Sequence, residues 1–306
     1  MSAPQAILIA GPTASGKSAL AISLARRIGG AVINADSMQV YRDLRVLSAR
    51  PTLEEEAQAP HRLFGHVDGA VNYSVGRYLE DAALALAEVR GRGLTPIFVG
   101  GTGMYFKAMT LGLSAIPAVP AEVRARVRAM AETRDVAALH EYLAARDPVM
   151  AARLRPSDPQ RILRALEVFE ASGRSLSEFQ GARAGALLDI DACIGVFISV
   201  ERAVLMARIE SRFDTMISGG AFEEVQILAA RGLDPALPVM RAHGVPGLVA
   251  YIKGETTLNE AIERGKRDTR RYAKRQHTFA RNQLPEMVWV SAEAAQESVL
   301  SRLARA

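Results

Sequence analysis

The sequence predicts an α/β protein in which helices flank a parallel sheet. Short apolar runs of the kind found in buried strands alternate with helical patterns along most of the chain. The first run leads into a glycine-rich loop, and one long arginine-rich block carries no strand signal. We therefore expect a core formed by residues 1–115 and 187–306, into which residues 116–186 insert as an all-helical domain.

Composition limits the class of protein. The 306 residues carry a formal net charge of +5, which suits a polyanionic partner such as nucleic acid without requiring one. The single cysteine, Cys193, lies in an apolar run, so a disulfide framework or zinc cluster is excluded and a reducing compartment is expected. The N-terminus lacks the layout of a signal peptide, and no apolar segment has the length of a membrane helix. We therefore expect a cytoplasmic protein without a membrane partner.

The stretch Gly11-Pro12-Thr13-Ala14-Ser15-Gly16-Lys17-Ser18 fits the pattern Gly-x-x-x-x-Gly-Lys-Ser/Thr at every fixed position. An apolar run, Ala6–Ala10, precedes it, and a helical pattern that stops near Gly29 follows it. This order places backbone N–H groups and the positive end of a helix around an anion. Lys17 adds a positive charge, and the Ser18 hydroxyl is placed for a magnesium ion. The loop predicts a P-loop NTPase-like core that binds a phosphate compound, without identifying the compound.

A second apolar run, Ala31–Ala35, ends at Asp36. Ligands of open α/β sheets bind beyond the carboxyl ends of the strands, so we expect Asp36 at the same sheet edge as the phosphate loop. A carboxylate there can act as a base or contact magnesium. It can equally serve as the N-cap of a following helix, and the sequence leaves both interpretations open.

The third apolar run, Thr95–Val99, leads into Gly100-Gly101-Thr102-Gly103. Glycines let a ligand approach the backbone closely, and Thr102 adds a hydroxyl at the sheet edge, although a simple tight turn is the alternative. In P-loop proteins that hydrolyse ATP or GTP, a later strand usually ends in an Asp that holds magnesium. The absence of that Asp argues against ATP hydrolysis.

Between the second and third runs, residues 44–72 show weak periodicity, and we expect an irregular, mobile flap there. The histidines His61 and His66 lack a ligand partner at helical spacing, so solvated or structural roles are expected for both in preference to metal binding. A helical pattern resumes over Tyr73–Arg92.

From Ile116 the sequence becomes arginine-rich and helical, with patterns over Val136–Arg146 and Pro148–Leu154. Asp158 and Pro159 form an N-cap and first-turn pair for a further helix that closes at Gly173. Three polar side chains share one face of that helix, opposite its apolar face: Gln160, Arg161 and Arg164. A solvated face is the ordinary explanation for them, and an RNA-binding face is the alternative.

The core pattern returns with a strand-like run over Ala192–Val200, and a helix is predicted from Arg202 to about Ser218. On that helix we expect Arg208 and Arg212 on the surface opposite the apolar side. A second basic helix spans Arg264–Arg281 with few acidic residues, which favours a platform for RNA over a merely solvated helix. A short strand and a terminal helix end the chain.

Five separated motifs together resemble the tRNA dimethylallyltransferase family, also called tRNA isopentenyltransferases. In chain order they are Gly11–Ser18, Asp36-Ser37-Met38-Gln39-Val40-Tyr41, Gly100-Gly101-Thr102-Gly103-Met104-Tyr105, Asp158-Pro159-Gln160-Arg161 with Arg164–Val168, and Arg271-Tyr272-Ala273-Lys274-Arg275-Gln276. The resemblance covers essentially the whole chain.

The resemblance implies transfer of a dimethylallyl group from its diphosphate to N6 of adenosine 37, beside the anticodon of tRNAs that read codons starting with U. It implies that the loop holds the diphosphate of this donor together with Mg²⁺, with no need to hydrolyse ATP. The partners would be dimethylallyl diphosphate and the anticodon stem-loop of tRNA. One polypeptide is expected to be sufficient for the site, so we expect a monomer.

Residue roles follow from the same resemblance. Asp36 would be the general base, and Thr102 would contact the bridging oxygen of the departing diphosphate. Lys17, Ser18 and Arg212 would neutralise the leaving group. The implied tRNA contacts are Asp36, Ser37, Met38, Gln39, Thr102, Arg124, Gln160, Arg161, Ile162, Leu163, Arg164, Arg271, Lys274 and Arg275, which makes residues 116–186 a tRNA-binding domain.

One segment departs from the family pattern. Many members carry an Ile/Val-Gly-Tyr segment where this chain has Arg241–Leu248, and Tyr251 lies too far along to replace the tyrosine. No tRNA contact is therefore assigned there. Two other classes remain as alternatives: a P-loop kinase for nucleosides or small molecules, and an RNA-binding ATPase switch without covalent chemistry.

Overall fold

Residues 4–181 and 183–305 are described by a computed structural model. They form eight strands and fourteen α-helices. The strands are β1 (Ile7–Ala10), β2 (Gly30–Asn34), β3 (His61–Arg62), β4 (Thr95–Gly100), β5 (Leu113–Ser114), β6 (Arg183–Ala184), β7 (Ile194–Ser199) and β8 (Val288–Ser291). The helices are α1 (Lys17–Ile28), α2 (Leu53–Glu56), α3 (Val75–Gly91), α4 (Gly103–Leu111), α5 (Ala121–Thr133), α6 (Val136–Ala144), α7 (Pro148–Ala151), α8 (Pro159–Ser172), α9 (Leu176–Phe179), α10 (Arg202–Met216), α11 (Phe222–Ala230), α12 (Val245–Ile252), α13 (Leu258–Gln283) and α14 (Ala295–Leu303).

Six strands build one sheet in the order β3-β2-β4-β1-β7-β8, and every neighbouring pair is parallel. Central strand β1 pairs with β4 on one side and with β7 on the other. Because all strands run in one direction, the segments that follow β1, β2 and β4 leave the same edge of the sheet. The predicted α/β fold class is confirmed.

Helices cover both faces of this sheet because alternate strand residues point to opposite sides. Leu8 joins a cluster on one face with α3 and α4, whereas Ile7 and Ile9 join a cluster on the other face with α1 and α14. All four residues of β1 are buried. This two-sided burial explains why the strands read as continuous apolar runs rather than alternating ones.

Residues 44–72 contain more regular structure than the sequence predicts. Thr52 and Glu55 form a capping box at the start of α2, and β3 pairs with β2 at the edge of the sheet. His61 contacts the Ala59 carbonyl at 2.7 Å, and His66 contacts Asp81. Among the described residues, no group of three or more acidic, histidine or cysteine side chains could hold a metal ion.

The chain divides into two compact units, Met1–Thr110 with Leu187–Ala306, and Leu111–Ala186. The second unit packs α5–α9 around its own apolar cluster. Asp158 caps α8 by accepting from the N–H of Arg161, and Gly173 ends that helix with φ of +67°, as predicted. The unit is not purely helical, because β5 and β6 pair in an antiparallel ribbon. The unit begins at Leu111, whereas the sequence predicts a start at Ile116.

Two C-terminal elements, α12 and α13, differ from the predicted pattern. α13 begins at Leu258, before the basic residues, with a capping box of Thr257 and Glu260. As predicted, the helix that begins at Arg202 ends before Phe222, because the backbone at Gly219 and Gly220 is not helical, and α11 starts at Phe222. α12 was not expected as a helix. None of the helices in the described part of the chain has the length and apolar character needed to cross a membrane.

Candidate active site

The phosphate loop joins β1 to α1 and lies at the carboxyl edge of the sheet. Gly16 has φ of +87°, a left-handed conformation that favours glycine, and α1 starts at the next residue. A Cβ on Gly11 would lie 2.8 Å from Ser15 Oγ, so the loop folds tightly against itself. The N-terminal end of α1 is thereby placed to bind an anion.

Lys17 is the buried cation of the loop. Only 9% of its surface is exposed, and its Nζ donates to the Pro12 carbonyl at 3.3 Å. Burial lowers the pKa of Lys17 from 10.5 to about 8; the positive charge of Arg212 adds to this effect, and the negative charge of Asp36 opposes it. An anion bound beside Lys17 would therefore be strongly favoured, because it would restore the stability of the charged form.

Arg212 comes from α10 and bonds to Thr13 Oγ1 in the phosphate loop. Burial lowers its pKa, and Asp36 partly compensates. The expectation of a surface position for Arg212 is wrong: the side chain turns towards the loop. A cavity of about 770 Å³ adjoins Lys17 and Ser18, and its lining includes three more guanidinium groups: Arg45, Arg50 and Arg208.

Asp36 is held by a turn and not by a helix. Asn34 Oδ1 accepts from the Asp36 N–H at 2.8 Å, and Asp36 Oδ1 accepts from the Met38 N–H at 3.0 Å. Residues 37–40 form turns, so the N-cap interpretation is wrong. The second oxygen, Oδ2, accepts no hydrogen bond from the described residues and lies 3.1 Å from where a Cβ on Gly101 would stand.

Thr102 faces Asp36 from the loop after β4. Its Oγ1 accepts from the Ser37 N–H at 2.9 Å and donates to Ser37 Oγ at 3.1 Å. A Cβ on Gly100 would lie 2.0 Å from the Ala35 carbonyl oxygen, so only glycine lets these two loops approach each other. The two predicted motifs that follow β2 and β4 are thus brought together.

Gln276 is a positioning residue that residue-by-residue sequence reasoning missed. It is 6% exposed; its Oε1 accepts from the Thr13 N–H and its Nε2 donates to the Gly101 carbonyl, each at 2.9 Å. Tyr272, one turn earlier on α13, also faces the site, where burial and Asp36 raise its pKa. The sequence could have indicated this position, because Tyr272 and Gln276 are four residues apart and therefore lie on the same face of α13.

A small chamber of about 60 Å³ lies between the carboxylate of Asp36 and the phosphate loop. Its polar lining includes Asp36, Thr13 and Arg212, together with Ser48, His243, Thr269 and Tyr272. Its apolar lining consists of Met38, Leu47, Ile209, Phe213, Met216 and Ala242. Because Arg212 and Met216 also line the large phosphate cavity, the chamber and the cavity adjoin.

The predicted tRNA contacts have varied positions. Gln39 is buried, and its amide donates to the carbonyls of Ser48 and Ala49, so its side chain is structural. Ile162 is fully buried in the core of the second unit, which removes its side chain from the predicted contacts, and Leu163 packs against that core.

The polar candidates are more accessible. Gln160 and Arg161 are exposed at the start of α8, Arg124 is half-exposed on α5, and Arg164 lies 3.5 Å from Glu167. Arg271, Lys274 and Arg275 are exposed on α13. The positive charge of α13 is more neutralised than its sequence indicates, because two acidic residues of α10 form ion pairs with it. Glu210 pairs with Arg270, and Asp214 pairs with Lys266.

The fold and the site define the class of P-loop-like phosphate-binding proteins. The sequence profile of the IPP transferase family matches residues 39–283, and that of isopentenyl transferases matches residues 4–72. Proteins called tRNA dimethylallyltransferase from Methylocella silvestris and Beijerinckia indica subsp. indica are 62% and 61% identical to this chain. These alignments cover 97% and 98% of this chain and 98% and 99% of the relatives.

Solved structures agree with these relatives. A full-length tRNA isopentenylpyrophosphate transferase from Bacillus halodurans superposes with a TM-score of 0.69 at 32% identity, over 98% of this chain and 96% of that one. A eukaryotic dimethylallyltransferase acting on tRNA gives a TM-score of 0.77 at 28% identity, over 94% of this chain and 73% of that one. The chain belongs to the tRNA dimethylallyltransferase family, which supports the prenyl-transfer hypothesis and not the kinase alternative.

Proposed function

We propose that this protein transfers the dimethylallyl group of dimethylallyl diphosphate to N6 of adenosine 37 in tRNAs that read codons starting with U. A bond forms between N6 and C1 of the prenyl group, the bond from C1 to the diphosphate oxygen breaks, and N6 loses one proton. The products are N6-(dimethylallyl)adenosine in tRNA and diphosphate.

The chamber between Asp36 and Arg212 is the observation that carries this proposal. It combines a carboxylate, a guanidinium and an apolar lining within one small space. A five-carbon chain attached to a diphosphate needs this combination, because its head is anionic and its tail is apolar. A phosphate loop alone would suit many other phosphate compounds.

Asp36 is proposed as the base that removes the N6 proton. An adenine amine is a poor nucleophile, so a carboxylate that accepts its proton during attack lowers the barrier. The turn hydrogen bond occupies Oδ1, which leaves Oδ2 for the substrate. The adenine must leave the anticodon-loop stack to reach this oxygen.

The leaving diphosphate is proposed to bind to Lys17, Arg212 and the backbone N–H groups of the phosphate loop. Charge develops on it as the allylic bond breaks, and donors already in place stabilise that charge without reorganisation. Thr102 would contact the bridging oxygen by exchanging its hydrogen bond to Ser37 Oγ for one to the substrate.

Ser18 is the proposed protein ligand of Mg²⁺. Its half-buried hydroxyl at the start of α1 lines the phosphate cavity. One hydroxyl fits this ion, because Mg²⁺ prefers oxygen ligands and often takes only one or two from the protein, the rest coming from phosphates and water. When bound, the ion would supply further positive charge to the leaving diphosphate.

We also propose that a single chain completes the site and that it works in the cytoplasm on the anticodon stem-loop of tRNA. Every residue assigned to the base and to the leaving group lies within the unit Met1–Thr110 with Leu187–Ala306. The exposed arginines of residues 111–186 are proposed to contribute to tRNA binding through phosphate contacts.

The test uses the full chain with Mg²⁺ and dimethylallyl diphosphate radiolabelled in the prenyl group. Label is expected in tRNAs that read codons starting with U, with one diphosphate released per prenyl group. A tRNA with guanosine at position 37 is the matched control and should remain unlabelled. The proposal fails if no such tRNA is labelled, and ATP-dependent phosphorylation of a nucleoside would favour the kinase alternative.

A further inference from the structure

A second cavity, of about 450 Å³, lies between the first half of α10 and the middle of α13, and we call it the α10–α13 cleft. Its floor is apolar and consists of Val200, Leu205, Met206 and Ala273. Leu205 and Ala273 share a packing cluster with Ala14 of the phosphate loop. The cleft therefore adjoins the active site but opens on another face of α13.

The rim of the cleft is cationic. It carries Arg202, Arg267, Arg270, Arg271 and Lys274, and none of the described residues that line the cleft is acidic. Arg270 is neutralised by Glu210 at 2.7 Å, and Arg271 lies only loosely beside Asp268 at 3.8 Å. Within the described part of the chain, the remaining three rim cations form no ion pair. Most of this charge is available to a ligand.

His277 adds a flat, neutral ring to the cleft. The ring lies edge-on to Trp289 with centroids 4.8 Å apart, which fixes its orientation. Burial and the nearby charge of Arg281 lower the pKa of His277, which favours the uncharged imidazole. A neutral ring and a methionine side chain offer a stacking surface for a planar base.

We infer that the α10–α13 cleft binds an unstacked nucleotide of the substrate tRNA other than the modified adenosine, with its base on the apolar floor and its phosphates on the rim. The inference rests on the proposed function. Gln276 holds the phosphate loop, while Lys274, two residues earlier on the same helix, borders the cleft. The site and the cleft therefore lie on two faces of one helix, which is about 10–12 Å thick with its side chains, a distance that a few nucleotides can span. An apolar ligand would not need the cationic rim, whereas an RNA nucleotide uses both features.

The first measurement is the affinity of the full chain for an anticodon stem-loop, by fluorescence anisotropy without donor. Met206→Asp should weaken binding about tenfold, because it replaces a stacking surface with a repelling charge. Met206→Leu keeps the floor apolar and should bind like the wild type. Arg77→Ala is the matched control, since it removes an exposed cation of α3 outside the cleft. Wild-type affinity in Met206→Asp would overturn the inference.

A chemical double-mutant cycle then tests for a bound base. Abasic nucleotides are placed singly at each loop position except 37. At one position, loss of the base should weaken the binding of the wild type about tenfold. The same loss should barely change the binding of Met206→Asp, because that variant already lacks the side chain on which the base stacks. The inference would be contradicted if each abasic nucleotide reduced the affinity of both proteins by the same factor. If Met206→Asp unfolds, Arg202→Ala combined with Lys274→Ala takes its place.

The outcomes separate the inference from the proposed function. Prenyl transfer together with the absence of a coupled loop position overturns the cleft assignment and leaves the transferase proposal intact. A coupled position without prenyl transfer supports the nucleotide site and overturns the proposed reaction.

Discussion

The two carboxylate oxygens of Asp36 have different surroundings. Oδ1 accepts from the Met38 N–H and keeps the turn after β2 in place. Oδ2 faces Gly101 and the chamber without a hydrogen bond from the described residues. A substitution can therefore change the oxygen proposed to accept the N6 proton and still preserve the turn.

We expect Asp36→Asn to reduce prenyl transfer by about 10²- to 10⁴-fold, the range that one general base contributes. The amide oxygen can still accept from Met38, so the melting temperature and the donor affinity should stay close to wild type. Single-turnover transfer and donor binding are measured on the same preparation. Loss of donor binding together with transfer would show that Asp36 is a metal or structural residue instead.

Lys17 predicts a pH dependence. Its pKa is about 8, so the free enzyme loses this positive charge as the pH rises through that value. The kcat/KM for donor reports groups of the free enzyme and should therefore fall above about pH 8. Lys17→Arg keeps its charge and should lack this alkaline fall, even if its overall rate is lower. The same alkaline fall in Lys17→Arg would assign the titration to another group.

At the level of single residues, the sequence predicts the parts of the site that belong to a motif. Lys17, Ser18 and Asp36 could be named because a fixed pattern or a strand end marks their positions. The inward turn of Arg212 could not be predicted, because helical spacing alone places it on the outer surface. Its burial depends on contact with Thr13, which is distant in the chain.

At the level of elements, α10 joins two functions within one turn. Arg212 bonds to the phosphate loop, and its neighbours Phe213 and Met216 line the chamber. Phe213 also packs against α13, where a Cβ on Gly265 would lie 2.2 Å from its ring. The helix thus combines the proposed diphosphate contact with the wall that is proposed to limit the prenyl group.

Met216→Ala should enlarge the chamber and shift donor selectivity towards geranyl diphosphate by about tenfold relative to dimethylallyl diphosphate. The chamber of about 60 Å³ is small, so removing one wall gives a longer chain room to enter. Met150→Ala is the control, because it removes the same atoms from a buried site in the second unit. Unchanged selectivity would mean that this chamber does not hold the prenyl group.

The α13 helix positions the phosphate loop through Gln276. Replacement by Ala leaves the buried Gly101 carbonyl and the partly buried Thr13 N–H unpaired, which should lower the free energy of unfolding by about 1–3 kcal/mol. It should also raise the KM for donor, because the loop is less well held. Gln283→Ala, two turns further along the same helix, should leave the KM unchanged. A wild-type KM in Gln276→Ala would show that the loop is held without this bond.

Element prediction succeeded where a segment is long and periodic. β1, β2, β4, β7 and α8 lie close to their predicted bounds. β3 and the β5–β6 ribbon were missed because two-residue strands have no measurable alternation. Their pairing partners lie elsewhere in the chain, so only tertiary structure specifies them.

At the level of the whole molecule, parallel strands bring distant motifs to one place. The phosphate loop follows β1, Asp36 follows β2 and Thr102 follows β4. The sequence predicts from strand direction alone that these three features lie at the same edge of the sheet. It does not predict the chamber. Leu47, Phe213 and Ala242 come from separate segments, and their meeting depends on packing that no local pattern encodes.

The most direct test of the account is nucleoside analysis of a substrate tRNA by mass spectrometry after incubation with this protein, Mg²⁺ and dimethylallyl diphosphate. We expect one dimethylallyl group on N6 of adenosine 37, present with the wild type and nearly absent with Asp36→Asn. An unmodified tRNA with the wild type, or a prenyl group on any other atom, would contradict the account.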